Sequence, residues 1–185
     1  MSKDFCSNGL RLGVLVSRNK AVIEAISSVN QTGWPSALAD QGWSIILEDS
    51  RFLNYYLKEH QKRLADQYRF VGNLLDELGL VYTQGGNAGF CLWLDLRFAL
   101  GRPKDGGKPG IEENKKLHRK IIEGGVRLAG DYPAEQYGWY RITFTQPRPL
   151  LLIGLEKLMK ALTAIDTGSS ARIFSTHRRL LLNKT

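Results

Sequence analysis

The first seventeen residues, MSKDFCSNGLRLGVLVS, decide how the rest of the chain is read, and the run LRLGVLVS at residues 10–17 decides the fold class. Nearly every position of that run is apolar, the pattern of a strand covered on both faces of a parallel sheet. A single strand is not a sheet, so a buried strand this near the start implies neighbours that the chain does not supply.

Working outward, residues 19–29 place Val22, Ile23, Ile26 and Val29 at helical spacing, and Gly33, Trp34 and Pro35 break that helix. A second helix is predicted over residues 36–47. A third spans residues 49–78, because Leu53, Leu57, Leu64, Tyr68, Val71, Leu75 and Leu78 fall on one stripe. Gly79 is its predicted stop. At some 30 residues it exceeds the usual helix of about 11–12, which suits an element bridging two packed bodies. Short strands follow at residues 81–84 and 89–96, then a Gly/Pro/Lys-rich loop at 101–110. A charged surface helix at 111–123, short strands at 126–129 and 140–145 and a helix at 149–165 complete the alternation, which is that of an α/β protein. After residue 166 the sequence reads as a basic tail with one apolar patch at 180–182.

The 185 residues, 43% of them hydrophobic, suffice for an ordinary domain with a real core. The net charge of +8 favours anionic partners without choosing among phosphate, carboxylate and nucleic acid. A zinc-ligand set, an RNA-binding glycine-aromatic signature and a helix-turn-helix pattern are all absent from the sequence, so nucleic acid is not an expected partner. Cys6 and Cys91 lie far apart and outside any CxxC pair, which predicts reduced thiols packed as small apolar groups. No run of about 18 uncharged apolar residues predicts a membrane span, and the start lacks the order of a signal peptide, so a cytoplasmic location is expected. His60, His118 and His177 lack ligand spacing and are assigned to the surface, with no metal site expected. Trp34, Trp43, Trp93 and Trp139 are assigned to core and interface packing.

In the opening segment, Ser2-Lys3 is followed by Asn8-Gly9-Leu10-Arg11-Leu12-Gly13, a lysine and then an arginine eight residues on, within a glycine-bearing turn. Further along come WPSALADQGWSIILED at 34–49, GGNAGFCLWLDLR at 85–97 and GWYRITFTQP at 138–147. In that order and spacing, these segments resemble the carboxy-terminal part of the pyridoxal-phosphate-dependent aminotransferases of class I and II, in the 1-aminocyclopropane-1-carboxylate synthase-like branch. The resemblance implies fold type I, with a remnant of the large cofactor-binding domain at 1–48, a long interdomain helix at 49–79, an α/β small domain at 80–166 and the basic tail at 167–185.

It also implies roles. Lys3 would form the internal Schiff base of pyridoxal phosphate, and Arg11, with the Ser2 hydroxyl, would hold the cofactor phosphate. Arg141 would clamp the α-carboxylate of an amino-acid substrate, and Asn87 would stand near the substrate mouth. The residue types suit those tasks: a lysine amine can exchange imines and shuttle a proton, and a guanidinium fork matches phosphate and carboxylate oxygens. On composition alone, Lys3 and Arg11 would be solvated charges near a frayed terminus.

The family's contacts to the pyridinium nitrogen and its ring-stacking aromatic precede the lysine and have no counterpart here. The resemblance therefore implies a truncated chain, inactive by itself, that descends from transaminating or lyase enzymes, with specialised-metabolite biosynthesis a context the branch includes. The resemblance also implies a homodimer, or a heterodimer with a full-length homologue; the alternative is a non-catalytic partner or inactive fragment that associates with such a homologue. A departure at Leu128-Ala129-Gly130-Asp131-Tyr132-Pro133, where the family has Pro-Gly and slightly more chain, bears on where Arg141 stands.

Overall fold

The computed structural model of the chain describes residues 2–30, 33–103, 106–130 and 136–165. The tail expected at 167–185, His177 and the segment 131–133 lie outside the described residues. The chain divides into two compact units, Met1–Lys62 and Arg63–Thr185.

Three helices make most of the first unit: α1 (Lys20–Val29), α2 (Ala37–Glu48) and the start of α3 (Ser50–Glu77). Helix α1 begins where it does because the Asn19 side chain accepts from the backbone amides of Ala21 and Val22, at 3.0 and 3.4 Å. Asp49 performs the same service for α3, taking the Phe52 amide at 2.8 Å. The strand expected at 10–17 is not formed: Asn8–Leu10 is a turn of 3-10 helix, and residues 11–17 carry no regular structure. Val14 and Val16 are 72% and 88% exposed. The physical reason is that a strand exists only by pairing its backbone with another, and no described residue offers an edge here. Among the described residues of this unit only Ala39 and Trp43 are buried. Trp34, assigned above to packing, is exposed, and so is Cys6.

The second unit is a three-stranded antiparallel sheet in the order β1 (Val81–Tyr82), β2 (Cys91–Asp95), β3 (Trp139–Thr143). The segment expected as a strand at 126–129 contributes a single bridge, Ala129 to Arg141. The period of two places Leu92, Leu94, Tyr140 and Ile142 on one face of the sheet, all buried. Against them pack Val71, Leu74, Leu75 and Leu78 of α3, Leu117 and Ile121 of α4 (Ile111–Glu123), and Leu151, Leu155, Leu158 and Leu162 of α5 (Arg148–Thr163). Helix α4, expected to be a charged surface element, thus keeps one apolar stripe in the core.

Element ends follow local chemistry. Gly79 takes φ 66° and the Leu80 amide bonds back to the Leu75 carbonyl at 2.9 Å, the glycine stop predicted for α3. The Glu113 carboxylate reaches back to the Gly110 amide at 3.0 Å at the start of α4.

Leu94, wholly buried in the central strand, is the place to test this core. Leu94→Ala should lower unfolding free energy by roughly 2–5 kcal/mol, read from urea denaturation followed by far-ultraviolet circular dichroism.

Candidate functional site

The sheet face opposite the core carries Cys91, Trp93 and Asp95 from β2 beside Thr143, Arg141 and Trp139 from β3, paired in that order. Arg141 is exposed on this face, with its backbone amide bonded to the Ala129 carbonyl at 2.8 Å. A buried amide fixes that register. Asn114, the one buried polar residue among those described, presents its Oδ1 to the Gly138 amide at 2.9 Å and its Nδ2 to the Gly130 carbonyl at 3.5 Å. The Tyr140 hydroxyl donates to the Asn114 carbonyl at 3.5 Å. Both glycines are required. A Cβ on Gly130 would stand 2.1 Å from the Tyr140 ring, and Gly138 has φ 81° with Arg97 pressed against it.

Asp95 and Arg97 form a two-pronged pair at the end of β2, with hydrogen bonds of 2.9 and 2.6 Å. The Arg97 guanidinium lies 5.2 Å from the centre of the Trp139 ring. The hydrogen bond from Arg97 holds the Asp95 carboxyl below its ordinary range, against the opposing pull of burial. Asn87 is exposed in the loop between β1 and β2, and among the described residues no hydrogen bond or ion pair joins it to Arg141.

In the first unit Lys3 is exposed in a turn and Ser2 is half-buried. Phe5, two residues beyond the lysine, anchors that turn: its ring meets Trp43 edge-on at 4.7 Å and stacks on Tyr56 at 5.2 Å. The Tyr56 hydroxyl donates to the Asp4 carbonyl at 3.2 Å. Burial first, then the neighbouring Cys6, pushes the Tyr56 phenol up, so it stays a neutral donor. Arg11 is exposed, its guanidinium donating to the Asn8 carbonyl at 3.1 Å. Cys6 and Arg11 both adopt positive φ, 54° and 55°, a cost for residues with a Cβ.

The sequence profile of the class I and II aminotransferases matches residues 1–158. The chain belongs to the aminotransferase class I and II family. Its relatives include the 1-aminocyclopropane-1-carboxylate synthase-like protein 1 of Mus musculus, 30% identical over 87% of this chain and 31% of that protein. The 1-aminocyclopropane-1-carboxylate synthase 11 of Arabidopsis thaliana is 27% identical over 100% of this chain and 40% of its own length. The aromatic aminotransferase of Pyrococcus horikoshii OT3 superposes with a TM-score of 0.69 at 18% identity, over 88% of this chain and 41% of the other. The fold is therefore that of part of a fold type I enzyme, in the 1-aminocyclopropane-1-carboxylate synthase-like branch. The chain spans about a third of the length of the mouse relative, 31%. The family is pyridoxal-phosphate-dependent and its members are typically dimers.

Asn114, Asp95 with Arg97, and the Phe5 anchor escaped the sequence reading. Asn114 carries a signal in retrospect, because positions 114, 117 and 121 share one helical stripe and only the first is polar. His118, assigned to the surface, instead lays its ring parallel to Tyr140 at 6.0 Å and has a buried Nδ1. Among the described residues no cluster of His, Cys, Asp or Glu could hold a metal, and no helix is long and apolar enough to cross a membrane.

Two outcomes follow from this geometry. Asn114→Leu strands the Gly138 amide and the Gly130 carbonyl, and should cost roughly 1–3 kcal/mol per stranded group in denaturant titrations. A depressed carboxyl contributes stability that is complete above its unfolded value of about 4 and is lost as pH falls through its folded value. The wild-type melting temperature should therefore drop more steeply below pH of about 4 than that of Asp95→Asn, which lacks this titration.

Proposed function

We propose that this chain supplies the carboxy-terminal part of a pyridoxal-phosphate-dependent enzyme acting on amino acids, with transamination, elimination and cyclisation as the reaction classes of its relatives. Residues 1–48 belong in this reading to the large domain, 49–79 to the interdomain helix and 80–166 to the small domain. The match over residues 1–158, which takes in Lys3, Arg11 and Arg141, carries the proposal.

The donor set fits one end of the cofactor. Ser2, Lys3 and Arg11 offer a hydroxyl, an exposed amine and an exposed guanidinium, the chemistry that an aldehyde and a phosphate require. The two positive-φ residues bracketing the turn are the kind of backbone outlier that concentrates at binding sites. Lys3 would hold the cofactor aldehyde, and Arg11 with Ser2 the phosphate. When bound, pyridoxal phosphate supplies an electron sink for charge developing at the substrate's α-carbon. The Lys3 amine, once free, can accept the proton from that carbon. Arg141 would orient the substrate by a forked pair of hydrogen bonds to its α-carboxylate, with Asn87 at the mouth. A cytoplasmic, biosynthetic setting and a homodimer accompany this reading.

The exposed apolar side chains of the first unit, with Trp34 76% and Leu38 85% exposed, favour a second reading: a non-catalytic partner that packs on a full-length homologue. Co-expression should then yield a stable mixed dimer on size exclusion, and a strictly monomeric or self-associated chain would exclude it.

For the first reading, purified chain is mixed with pyridoxal phosphate, reduced with borohydride and mapped by peptide mass spectrometry. Label should concentrate on Lys3 and vanish in Lys3→Ala, and Arg11→Met should raise the cofactor concentration for half-labelling about tenfold, the worth of one charge-assisted contact. Label spread evenly over the lysines, unchanged in Lys3→Ala, would defeat the assignment.

A further inference from the structure

Asn8 and Gly9 begin the short 3-10 turn Asn8–Leu10, and all three of its residues are exposed. The Leu10 amide closes the turn on the Ser7 carbonyl at 3.1 Å. Strain flanks it on both sides, with Cys6 at φ 54° and Arg11 at φ 55°, which lowers the cost of opening it.

Asparagine followed by glycine is the pairing in which a chain most readily attacks itself. The amide nitrogen of the second residue reaches the carboxamide carbon of the first through a small ring, and glycine puts no side chain in the way. A Cβ built on Gly9 meets nothing within 4 Å, so open space surrounds that nitrogen. Among the described residues no hydrogen bond engages the Asn8 carboxamide or the Gly9 amide. The Asn19 carboxamide, by contrast, is held at the start of α1, and that of Asn114 is buried between Gly138 and Gly130.

The deciding contact is with Arg11. Its guanidinium donates at 3.1 Å to the Asn8 carbonyl oxygen, which belongs to the same peptide group as the Gly9 nitrogen. When that nitrogen gives up its proton, the charge is shared with the oxygen, where the guanidinium meets it. Rotation about the Asn8 Cα–C bond brings the carboxamide over the nitrogen and breaks the bond from Leu10 to Ser7. It leaves the Arg11 contact alone, because every bond between the Asn8 carbonyl and Arg11 lies beyond the one that rotates.

We infer that Asn8 is a site of self-modification assisted by Arg11, and that the carboxylate it yields becomes the partner of Arg11. Water takes the Gly9 amide proton, the nitrogen bonds to the Asn8 carboxamide carbon, and the bond from that carbon to its NH2 group breaks, releasing ammonia. A second water opens the cyclic imide. Opening at the side-chain carbon gives aspartate. Opening at the former backbone carbonyl gives isoaspartate and turns the group that Arg11 already holds into a carboxylate. Nothing is oxidised or reduced: water is consumed and ammonia leaves. On the assignment of Arg11 to the cofactor phosphate, conversion withdraws that guanidinium from the phosphate.

The full chain is incubated at mildly alkaline pH and mapped over time by peptide mass spectrometry. Asn8 should convert about tenfold faster than Asn87, which is also exposed but is followed by alanine. Gly9→Ala should slow conversion about tenfold, and Arg11→Met roughly three- to tenfold, the worth of one hydrogen bond, both with unchanged circular dichroism spectra. Phenylglyoxal, which labels guanidinium groups, should react more slowly with Arg11 in the converted chain than in the fresh one, with Arg18 unaltered. Conversion at Asn8 no faster than at Asn87, conversion at the wild-type rate in Arg11→Met, or unchanged labelling of Arg11 would each overturn the inference. Borohydride capture of pyridoxal phosphate on Lys3 should need about tenfold more cofactor after conversion, but not in Gly9→Ala incubated alongside. Equal capture by fresh and converted chain would overturn the withdrawal of Arg11. Absence of Lys3 labelling even in the fresh chain would instead defeat the cofactor assignment, with the outcomes at Asn8 and Arg11 standing on their own.

Discussion

The carboxamide of Asn114 sets where Arg141 stands. One amide group, buried beneath the sheet, accepts from Gly138 at the entry to β3 and donates to Gly130 on the adjoining segment. Those two contacts flank the backbone bond from Arg141 to Ala129. A slip of one residue in β3 would turn Arg141 into the core and Ile142 out of it, because side chains alternate faces. Tyr140 guards the same register from the other side: its fully buried ring leaves no room for a Cβ on Gly130, and its hydroxyl closes on the Asn114 carbonyl. An exposed cation is thus positioned by residues that never touch it.

The two units meet the burial requirement very differently. The second covers one face of its sheet with three helices, and Leu75, Leu94, Ile121 and Tyr140 have no exposed surface at all. The first unit buries Trp43 and Ala39 and leaves Val14, Val16, Trp34 and Leu38 in solvent. At about 25 cal/mol per Å² of apolar surface removed from water, such side chains gain little where they stand. What order the opening turn has comes from a small aromatic set, Phe5 against Trp43 and Tyr56, and not from a sheet.

That contrast explains which parts of the structure were legible in the sequence. Helix α4 was bounded at 111–123 because Gly110 and Gly124 bracket it and the stripe between them is unbroken. Helix α3 ended as predicted because Gly79 can take positive φ at no steric cost. Residues 10–17 failed for a definite reason: an apolar run reports a capacity for burial, and a strand also needs a partner that no sequence window can display. The bridge at Ala129 shrank from a predicted strand for the same cause. Roles for Lys3, Arg11 and Arg141 rest on the motif alone and stand as proposals. Asn114 and His118 were hidden because a lone polar residue on an amphipathic helix reads as surface until the neighbouring glycines and Tyr140 fold over it.

Charge bookkeeping at the sheet then distinguishes two arginines that the sequence leaves alike. Arg97 and Arg141 both belong to glycine-rich, aromatic-rich segments and both are exposed. Arg97 is committed: Asp95 grips it with two short hydrogen bonds, Trp139 lies beneath it, and its backbone is wedged against Gly138. Arg141, two residues past Trp139, has no carboxylate partner among the described residues, although Asp95 sits on the same face of the sheet. The carboxylate that could have neutralised Arg141 is held instead by Arg97, whose bidentate grip also lowers its proton affinity. Arg97 thereby keeps the internal acid occupied, and Arg141 stands exposed on this face with no carboxylate partner among the described residues.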